Sequence, residues 1–232
     1  KHINNITWST EITAKINFLF NSFKDLESIA ISDNLPTLDL LYIRFYNVYK
    51  EYIYRDKVVF VFTDSTVFSN IKKNIEKYKK TDFIFKSSNM ETEFKHILPD
   101  ILISDNKITI KKSMNSIPLE FLFNYYSNKI DDKTVAWIIS RMLNFACYLQ
   151  YNNSVYASFS LRNLYVNTEK HWLKYIGGWW NYISENDSFS MMDYDVISCI
   201  PKSLLKTKKD TKKIDLYIIK ALALKLLGNP MA

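Results

Sequence analysis

Glycine is scarce in this chain, and its placement restricts the turns that the backbone can make. The 232 residues include three glycines, of which Gly177 and Gly178 are adjacent and are followed by Trp179 and Trp180. Glycine adopts positive φ readily and lets two backbone segments approach closely. No glycine precedes Gly177. A glycine-rich backbone loop that wraps phosphates is therefore excluded from the first three quarters of the sequence.

Composition predicts a folded chain of one or two domains. Apolar residues make up 47% of the sequence, which is enough to form a substantial core. No window approaches eighteen consecutive apolar residues, so no transmembrane helix is expected. The formal net charge is +7. Part of this charge reflects the abundance of Lys, Asn, Ile and Tyr that is typical of an AT-rich genome, but a basic surface also favours nucleic acid or an acidic partner.

Cysteine usage favours a reducing compartment. The chain contains Cys147 and Cys199 alone, and each lies among apolar residues, so both are predicted to be buried free thiols. No His, Cys, Asp or Glu spacing typical of a metal site occurs, and neither a P-loop nor a G-x-S-x-G motif is found. These patterns predict an intracellular protein without a resident metal.

Residues 1–55 are predicted to form a helical N-terminal extension. An amphipathic helix is expected over Ser9–Ala30, and "DNLP" ends it. A second helix is expected from Thr37 to about Tyr54, because apolar residues recur there at helical spacing. These residues are Leu38, Leu41, Phe45, Val48 and Tyr52.

Residues 56–115 have an α+β pattern. Strands are predicted for "KVVFVFT" (Lys57–Thr63), "DFIFKSS" (Asp82–Ser88), "DILISD" and "KITIKK". Helices are predicted over Phe68–Lys80 and Met90–Leu98. This segment is therefore expected to be a small sheet with helices beside it.

Residues 116–232 are predicted to be mainly helical. "PLEFLFNYYSN" forms one helix, and a longer helix follows, capped by Asp131 or Asp132. After a loop, a hairpin and a second loop, the segment Ile214–Gly228 is apolar on nearly every side. Such a helix is expected to be buried at the centre of a domain.

The order of these elements resembles the protein kinase fold. "VYASFSLRNLYVN" is similar to the kinase catalytic loop and its following strand, so that Tyr156 matches the histidine, Ser158 the catalytic aspartate and Asn163 the metal-binding asparagine. "LKYIGGWW" is similar to the strand that leads into D-F-G, and Gly177 matches its aspartate. The "GGWW" turn looks most like kinase-like domains of some large bacteriophage proteins, where a small J-domain-like segment can precede them.

The resemblance covers about Asp56 to Gly228 and implies further roles. "FIFKSS" resembles the strand of the ATP-binding lysine and places Lys86 there, and Glu93 matches its partner on the following helix. Asp215 matches the aspartate that braces the catalytic loop. A kinase lower lobe normally continues past the buried helix, so the resemblance implies either a truncated chain or a minimal lower lobe.

The departures from the kinase pattern argue against phosphoryl transfer. The reaction needs one carboxylate beside the acceptor hydroxyl and another that holds magnesium, but these positions are Ser158 and Gly177. The glycine-rich loop is absent as well. Lys86, Glu93 and Asn163 are therefore interpreted as a vestigial nucleotide site. The alternatives are an ion pair between Lys86 and Glu93 that only holds a helix, and a loop-stabilising hydrogen bond from Asn163.

Trp179, Trp180 and two lysine clusters are candidate interaction residues. The tryptophans would stack a base or form an interface hot spot, and the alternative is that they belong to the core. Solvated faces are the alternative for the lysines; if both clusters lay on one side, a nucleic-acid or acidic-protein site would follow. The first cluster is Lys72, Lys73, Lys77, Lys79 and Lys80, and the second is Lys202, Lys206, Lys208, Lys209, Lys212 and Lys213.

The sequence as a whole predicts an α+β, protein-kinase-like fold. A small α+β upper lobe (56–115) and a mainly helical lower lobe (116–232) follow the N-terminal extension. The predicted function is that of a catalytically inactive pseudokinase, a viral protein-binding or scaffolding module in the host cytoplasm that needs no cofactor and no membrane. The alternative is a basic nucleic-acid-binding module of a viral transcription or replication assembly. A third hypothesis is an atypical enzyme that uses Asp187, Asp193 or Asp195 in place of the missing carboxylates.

Overall fold

A five-stranded antiparallel sheet forms the first part of the fold. This computed structural model describes residues 24–167, 169–184, 194–207 and 211–229. The strand order is β1-β2-β3-β5-β4, and every neighbouring pair is antiparallel. The strands are β1 (Leu40–Phe45), β2 (Tyr49–Tyr54), β3 (Lys57–Phe62), β4 (Ile101–Ser104) and β5 (Lys107–Lys111).

The predicted helix from Thr37 to Tyr54 is wrong, because these residues form most of the β1–β2 hairpin. Arg44 pairs with Glu51 in its register, and β2 continues the sheet towards β3. The sheet therefore crosses the predicted boundary at residue 55, and residues 40–54 do not belong to a helical extension. Five of the six residues of β2 are buried. A strand covered on both faces shows no polar alternation.

A helix covers the outer face of this sheet. Residues 24–32 are helical (α1), which agrees with the end of the helix predicted over Ser9–Ala30; residues 9–23 lie outside the described part of the chain. Ala30 is buried against β1, β2 and β3, and Leu26 and Ile29 pack beside it. The strand residues of this small core are Leu40, Ile43, Tyr52, Tyr54, Val59 and Val61.

The inner face of the sheet carries two helices between β3 and β4. The helix α2 (Ser65–Lys80) begins at Asp64, whose side chain accepts the backbone N–H groups of Thr66 and Val67. The helix α3 covers Ser88–Phe94. The strand predicted over Asp82–Ser88 is wrong: residues 82–87 form no strand, and α3 begins at the last residue of that range.

The rest of the described chain is mainly helical, with a three-stranded antiparallel sheet in the order β6-β7-β8. Its strands are β6 (Ser116–Pro118), β7 (Leu164–Asn167) and β8 (Trp172–Tyr175). The helices are α4 (Leu119–Tyr125), α5 (Asp132–Tyr151), α6 (Tyr194–Ile197), α7 (Lys202–Thr207) and α8 (Ile214–Leu226). Asp131 caps α5 by accepting the N–H groups of Lys133 and Thr134.

One core joins the inner face of the five-stranded sheet to the helical region. Met142, Phe145 and Leu149 of α5 are fully buried, as is Leu226 of α8. The prediction of two buried thiols is wrong, because Cys147 is exposed and Cys199 is half-buried. None of the helices in the described ranges is long and apolar enough to span a bilayer.

Candidate functional site

The loop at residues 156–163 is held in place by one buried carboxylate. Asp215, in the first turn of α8, is fully buried. Its two oxygens accept the backbone N–H groups of Tyr156 (3.0 Å) and Ala157 (2.7 Å). The bracing expected of Asp215 is therefore confirmed. Ala157 has φ of 56°, so this contact also fixes a backbone conformation that residues other than glycine rarely adopt.

The environment of Asp215 opposes its negative charge. Burial raises the pKa of Asp215 to about 7, although the two N–H donors act in the opposite direction. Desolvation penalises the charged form of a carboxyl group, whereas hydrogen bonds donated to it favour that form. The contact that shapes the loop therefore depends on a group that titrates near neutral pH.

The side chains of Ser158 and Asn163 are engaged in hydrogen bonds within the loop and with the glycine turn. The Ser158 hydroxyl donates to the carbonyl of Gly178 (3.0 Å) and accepts from Asn181 Nδ2 (2.9 Å). Asn163 Nδ2 donates to the carbonyl of Ser158 (3.0 Å). Ser158, Asn163 and Asn181 are all at least 97% buried, with exposed fractions of 0%, 2% and 3%. These hydrogen bonds link the loop to the glycine turn, although the buried Oδ1 of Asn181 has no hydrogen-bond partner among the described residues.

Gly177 lies where no side chain fits. A Cβ atom at this position would lie 2.2 Å from Asn163 Oδ1 and 3.0 Å from its Cγ. Gly178 has φ of 76°, and its Cβ would lie 2.3 Å from Ser158 Cβ. The carbonyl of Gly177 also accepts the buried hydroxyl of Tyr156. The two glycines therefore allow this turn to lie directly against the loop at residues 156–163.

Trp179 is buried in the helical region. It is fully buried, and its indole N–H donates to the carbonyl of Tyr175 (2.8 Å). Its ring centroid is 4.5 Å from that of Tyr78 on α2 and 4.9 Å from that of Tyr156. The predicted interaction role of Trp179 is wrong, because this side chain has no free surface to offer a partner.

Trp180 fills the space beneath the five-stranded sheet. It is 3% exposed, and its ring packs edge-on against Tyr49, Phe60 and Phe62 with centroid distances of 5.3, 5.1 and 5.5 Å. Its carbonyl accepts from the side chain of Asn74 on α2 (2.9 Å). The predicted interaction role of Trp180 is therefore wrong too, and the residue joins the sheet to the helical region.

Lys86 and Glu93 have separate partners. The ammonium of Lys86 lies 4.3 Å from the centroid of the Tyr151 ring, at the end of α5. The Glu93 carboxylate faces the guanidinium of Arg141 instead, with an N–O distance of 3.4 Å. Lys86 is exposed and lies outside any strand. The proposed pairing of Lys86 with Glu93 is therefore wrong, and the side-chain amide of Asn163 is engaged by the carbonyl of Ser158.

A buried charge network that the sequence analysis missed ties the β1–β2 hairpin to this region. Arg44 donates to both carboxylate oxygens of Glu51 (2.7 Å each), to Glu120 (2.8 Å) and to the carbonyl of Arg162 (2.9 Å). Tyr165 donates to Glu51 (2.8 Å). Burial lowers the pKa of Arg44, but the charge of Glu51, the hydrogen bonds to it and the nearby Tyr165 together raise the pKa above its ordinary value.

The predicted lysine clusters are exposed where the structure describes them. Lys72, Lys73, Lys79 and Lys80 are exposed on α2, and Lys212 and Lys213 are exposed just before α8. Lys206 lies on α7. Lys208, Lys209, Asp187 and Asp193 lie outside the described residues. Asp195 lies on α6.

Within the described ranges, no group of three or more His, Cys, Asp or Glu residues could hold a metal ion.

The comparisons with known proteins leave the chain without an assigned family. No family model matches the sequence. No curated protein is similar enough to count as a relative.

Proposed function

We propose that this protein is a catalytically inactive kinase-like module of viral origin that acts by binding or scaffolding another protein. The observation that carries the proposal is the packing of Gly177 against Asn163, where a Cβ would lie 2.2 Å from the amide oxygen. By the resemblance, this is the position of the magnesium-binding aspartate. A site without room for a methyl group has no room for a carboxylate and its metal.

The arrangement of the loop supports the same proposal. Ser158, at the position of the catalytic aspartate, has its hydroxyl engaged by Gly178 and Asn181. A general base must reach the proton that it removes, and a fully buried hydroxyl that donates to a backbone carbonyl does not. Asp215 keeps the loop in shape although the chemistry that such a loop serves is missing.

The side chains that lie between the five-stranded sheet and the loop also support the proposal that the protein is catalytically inactive. Trp180, Tyr49 and Phe60 pack together there, and the ring of Tyr46, at the turn of the β1–β2 hairpin, lies 5.1 Å from the guanidinium carbon of Arg162. In a kinase-like fold the nucleotide lies between the sheet and the catalytic loop. Aromatic side chains and a buried ion pair occupy that space in this protein.

Exposed apolar side chains on α8 support a protein partner. Leu216, Tyr217 and Leu224 of α8, and Leu227 directly after it, are between 37% and 43% exposed, although this helix lies against α5. Grouped apolar side chains on a surface are a common property of protein-binding sites.

Nucleotide binding is the direct test. Thermal unfolding of the full chain is measured with ATP and GTP, each with and without Mg²⁺, and the expected result is no change in Tm. A ligand at one hundred times its Kd stabilises a protein by about 2.7 kcal/mol, which such a measurement detects easily. Transfer of labelled phosphate to any substrate, or a Mg²⁺-dependent rise in Tm, would overturn the proposal.

A further inference from the structure

A cavity of about 430 Å³ lies between α4, the first turns of α5 and the hairpin of β7 and β8. α4 is in contact with β7, and each element contributes to the lining. Leu122 comes from α4, Trp137 from α5 and Val166 from β7. Cavities that bind small organic ligands have volumes of roughly 300 to 1,000 Å³. This cavity is therefore large enough for such a ligand, and its lining includes no residue of the loop at residues 156–163.

Two aromatic rings form a right-angled corner in the lining of this cavity. The rings of Trp137 and His171 are perpendicular, with an interplanar angle of 90° and centroids 6.1 Å apart. Tyr126, which directly follows α4 and is 52% exposed, adds a third ring. Aromatic side chains favour a planar ring as a neighbour, because edge-to-face and offset contacts between rings stabilise beyond the burial of area. The lining therefore suits an aromatic ligand.

The cavity also has hydrogen-bond donors that no other described residue uses. The ammonium of Lys133 and the indole N–H of Trp137 have no hydrogen-bond or ion-pair partner within the described ranges. Both groups can only donate. Lys133 and Trp137 are four residues apart on α5, so their side chains lie on the same face of the helix. A ligand matched to this face carries acceptor atoms, and a negative charge on them complements Lys133.

The acidic residues nearest to Lys133 have other contacts. Asp131 accepts two backbone N–H groups in the first turn of α5. Asp132 lines a separate groove between α5 and α8. Glu169, between β7 and β8, accepts from Asn115 Nδ2 (2.7 Å). None of the three forms an ion pair with Lys133, so its ammonium is available to a ligand.

We propose that this cavity binds a small aromatic carboxylic acid. The ring packs into the corner formed by Trp137 and His171, and the carboxylate pairs with the ammonium of Lys133. The lining has one lysine and no arginine, which matches a ligand with a single negative charge. Flat aromatic walls also suit a rigid ring better than an acyl chain, which loses more conformational entropy when it is bound. The site does not depend on whether the protein is catalytically inactive.

The test measures binding of naphthoate to the full chain by isothermal titration calorimetry. Naphthylmethanol, which has the ring without the charge, and octanoate, which has the charge without the ring, are the comparison ligands, and both are expected to bind more weakly. Lys133→Gln is expected to weaken naphthoate binding about fivefold, the upper range for an exposed ion pair, and to leave naphthylmethanol binding unchanged. Trp137→Leu is expected to weaken the binding of both ring compounds.

Lys129→Gln is the matched control, because Lys129 is exposed, lies four residues before Lys133 and is not part of the lining. This variant is expected to bind naphthoate as the wild type does. Equal loss of naphthoate affinity in Lys129→Gln and Lys133→Gln would overturn the proposal. Octanoate that binds as tightly as naphthoate would overturn it too, as would a wild-type protein that does not bind naphthoate.

A second measurement on the wild-type protein keeps the test independent of variant folding. Benzoylbenzoate, an aromatic carboxylic acid that cross-links on illumination, is bound to the full chain, and the labelled peptides are identified by mass spectrometry. Labelling is expected on Tyr126, Trp137 or His171, and an excess of naphthoate is expected to suppress it. Labelling confined to other parts of the chain, or labelling that naphthoate does not suppress, would overturn the proposal.

Discussion

Asp215 and Tyr156 are 59 residues apart in sequence, yet a carboxylate oxygen of Asp215 lies 3.0 Å from the backbone nitrogen of Tyr156. The second oxygen holds Ala157 in the same way. One side chain at the start of α8 thus determines the path of the loop from which Ser158 and Asn163 reach the glycine turn.

Asp215→Asn is expected to change how stability depends on pH. The pKa of Asp215 rises from 3.8 to about 7 on folding, so the folded state binds a proton that the unfolded state has released between about pH 4 and pH 7. Stability therefore falls as pH rises through that window, by roughly 4 kcal/mol for this group, and it levels off above pH 7. Urea unfolding at several pH values is expected to show a flatter profile for the variant.

The exposed Asp105, at the turn between β4 and β5, is the control for this experiment. Asp105→Asn is expected to leave the pH profile as it is in the wild type. A wild-type stability that rises between pH 5 and pH 7, with no change of slope in Asp215→Asn, would contradict the prediction.

Gly177→Ala is expected to destabilise the fold by about 1 to 3 kcal/mol, the usual cost of overpacking a core. The added methyl group collides with Asn163 Oδ1. Combining Gly177→Ala with Asn163→Ala removes the colliding atoms, so the double variant is expected to be more stable than the sum of the two single changes. Chemical unfolding of all four proteins gives this coupling energy.

Additive effects of these two changes would show that the glycine is needed for another reason. Gly228→Ala provides a comparison, because its φ of 80° makes the cost one of backbone strain and the atoms nearest to its Cβ belong to the Lys129 side chain, at 3.3 Å or more. That change is expected to cost about 1 kcal/mol and to show no coupling with Asn163→Ala.

Trp180→Ala is expected to cost about 3 to 5 kcal/mol, the range for large aromatic residues in a core. The side chain is 3% exposed and contacts three aromatic rings of the sheet. Trp172→Ala is the control, because Trp172 is 39% exposed, and it is expected to cost about 1 kcal/mol or less. Equal midpoints of unfolding for the two variants would contradict the buried position of Trp180.

Arg44→Met is expected to cost about 3 to 5 kcal/mol, because Glu51 then remains buried without its cation. Changing both residues, Arg44→Met with Glu51→Met, removes both charges and is expected to recover at least half of that loss. Denaturant unfolding of the single and double variants measures it. If the double variant were less stable than Arg44→Met, the prediction would be contradicted. The hydrogen bond from Tyr165 to the Glu51 carboxylate would then stabilise the fold by more than the unpaired charge of Glu51 destabilises it.

The sequence predicted the elements whose signals are local. The helices α2 and α5 have acidic caps and apolar residues at helical spacing, and β3 is a short run of β-branched and aromatic residues. The β1–β2 hairpin was mistaken for a helix because β2 is buried on both faces and thus lacks alternation. Leu38, Leu41 and Phe45 then matched a helical period by chance, and all three are exposed.

The parts of the candidate site whose geometry depends on a single residue could be predicted from the sequence. The parts that depend on which strands or side chains pair could not. Asp215 was found because the resemblance to the kinase fold places a bracing aspartate at the start of the buried helix. Lys86 was misplaced because a lysine after a β-like run does not reveal whether a neighbouring strand exists. Arg44 and Glu51 form a cross-strand pair, and they would have been found together if the hairpin had been recognised.

The partners of Arg44 are synthesised at different times. Its first partner, Glu51, is seven residues away, but the carbonyl of Arg162 follows 118 residues later. A ribosome that adds about 5 to 20 residues per second needs roughly 6 to 24 s to make that stretch. During this interval the nascent hairpin has its ion pair, but the segment that contains Arg162 has not yet been synthesised. The β1–β2 hairpin therefore carries its ion pair for seconds before the segment that contains Arg162 is made.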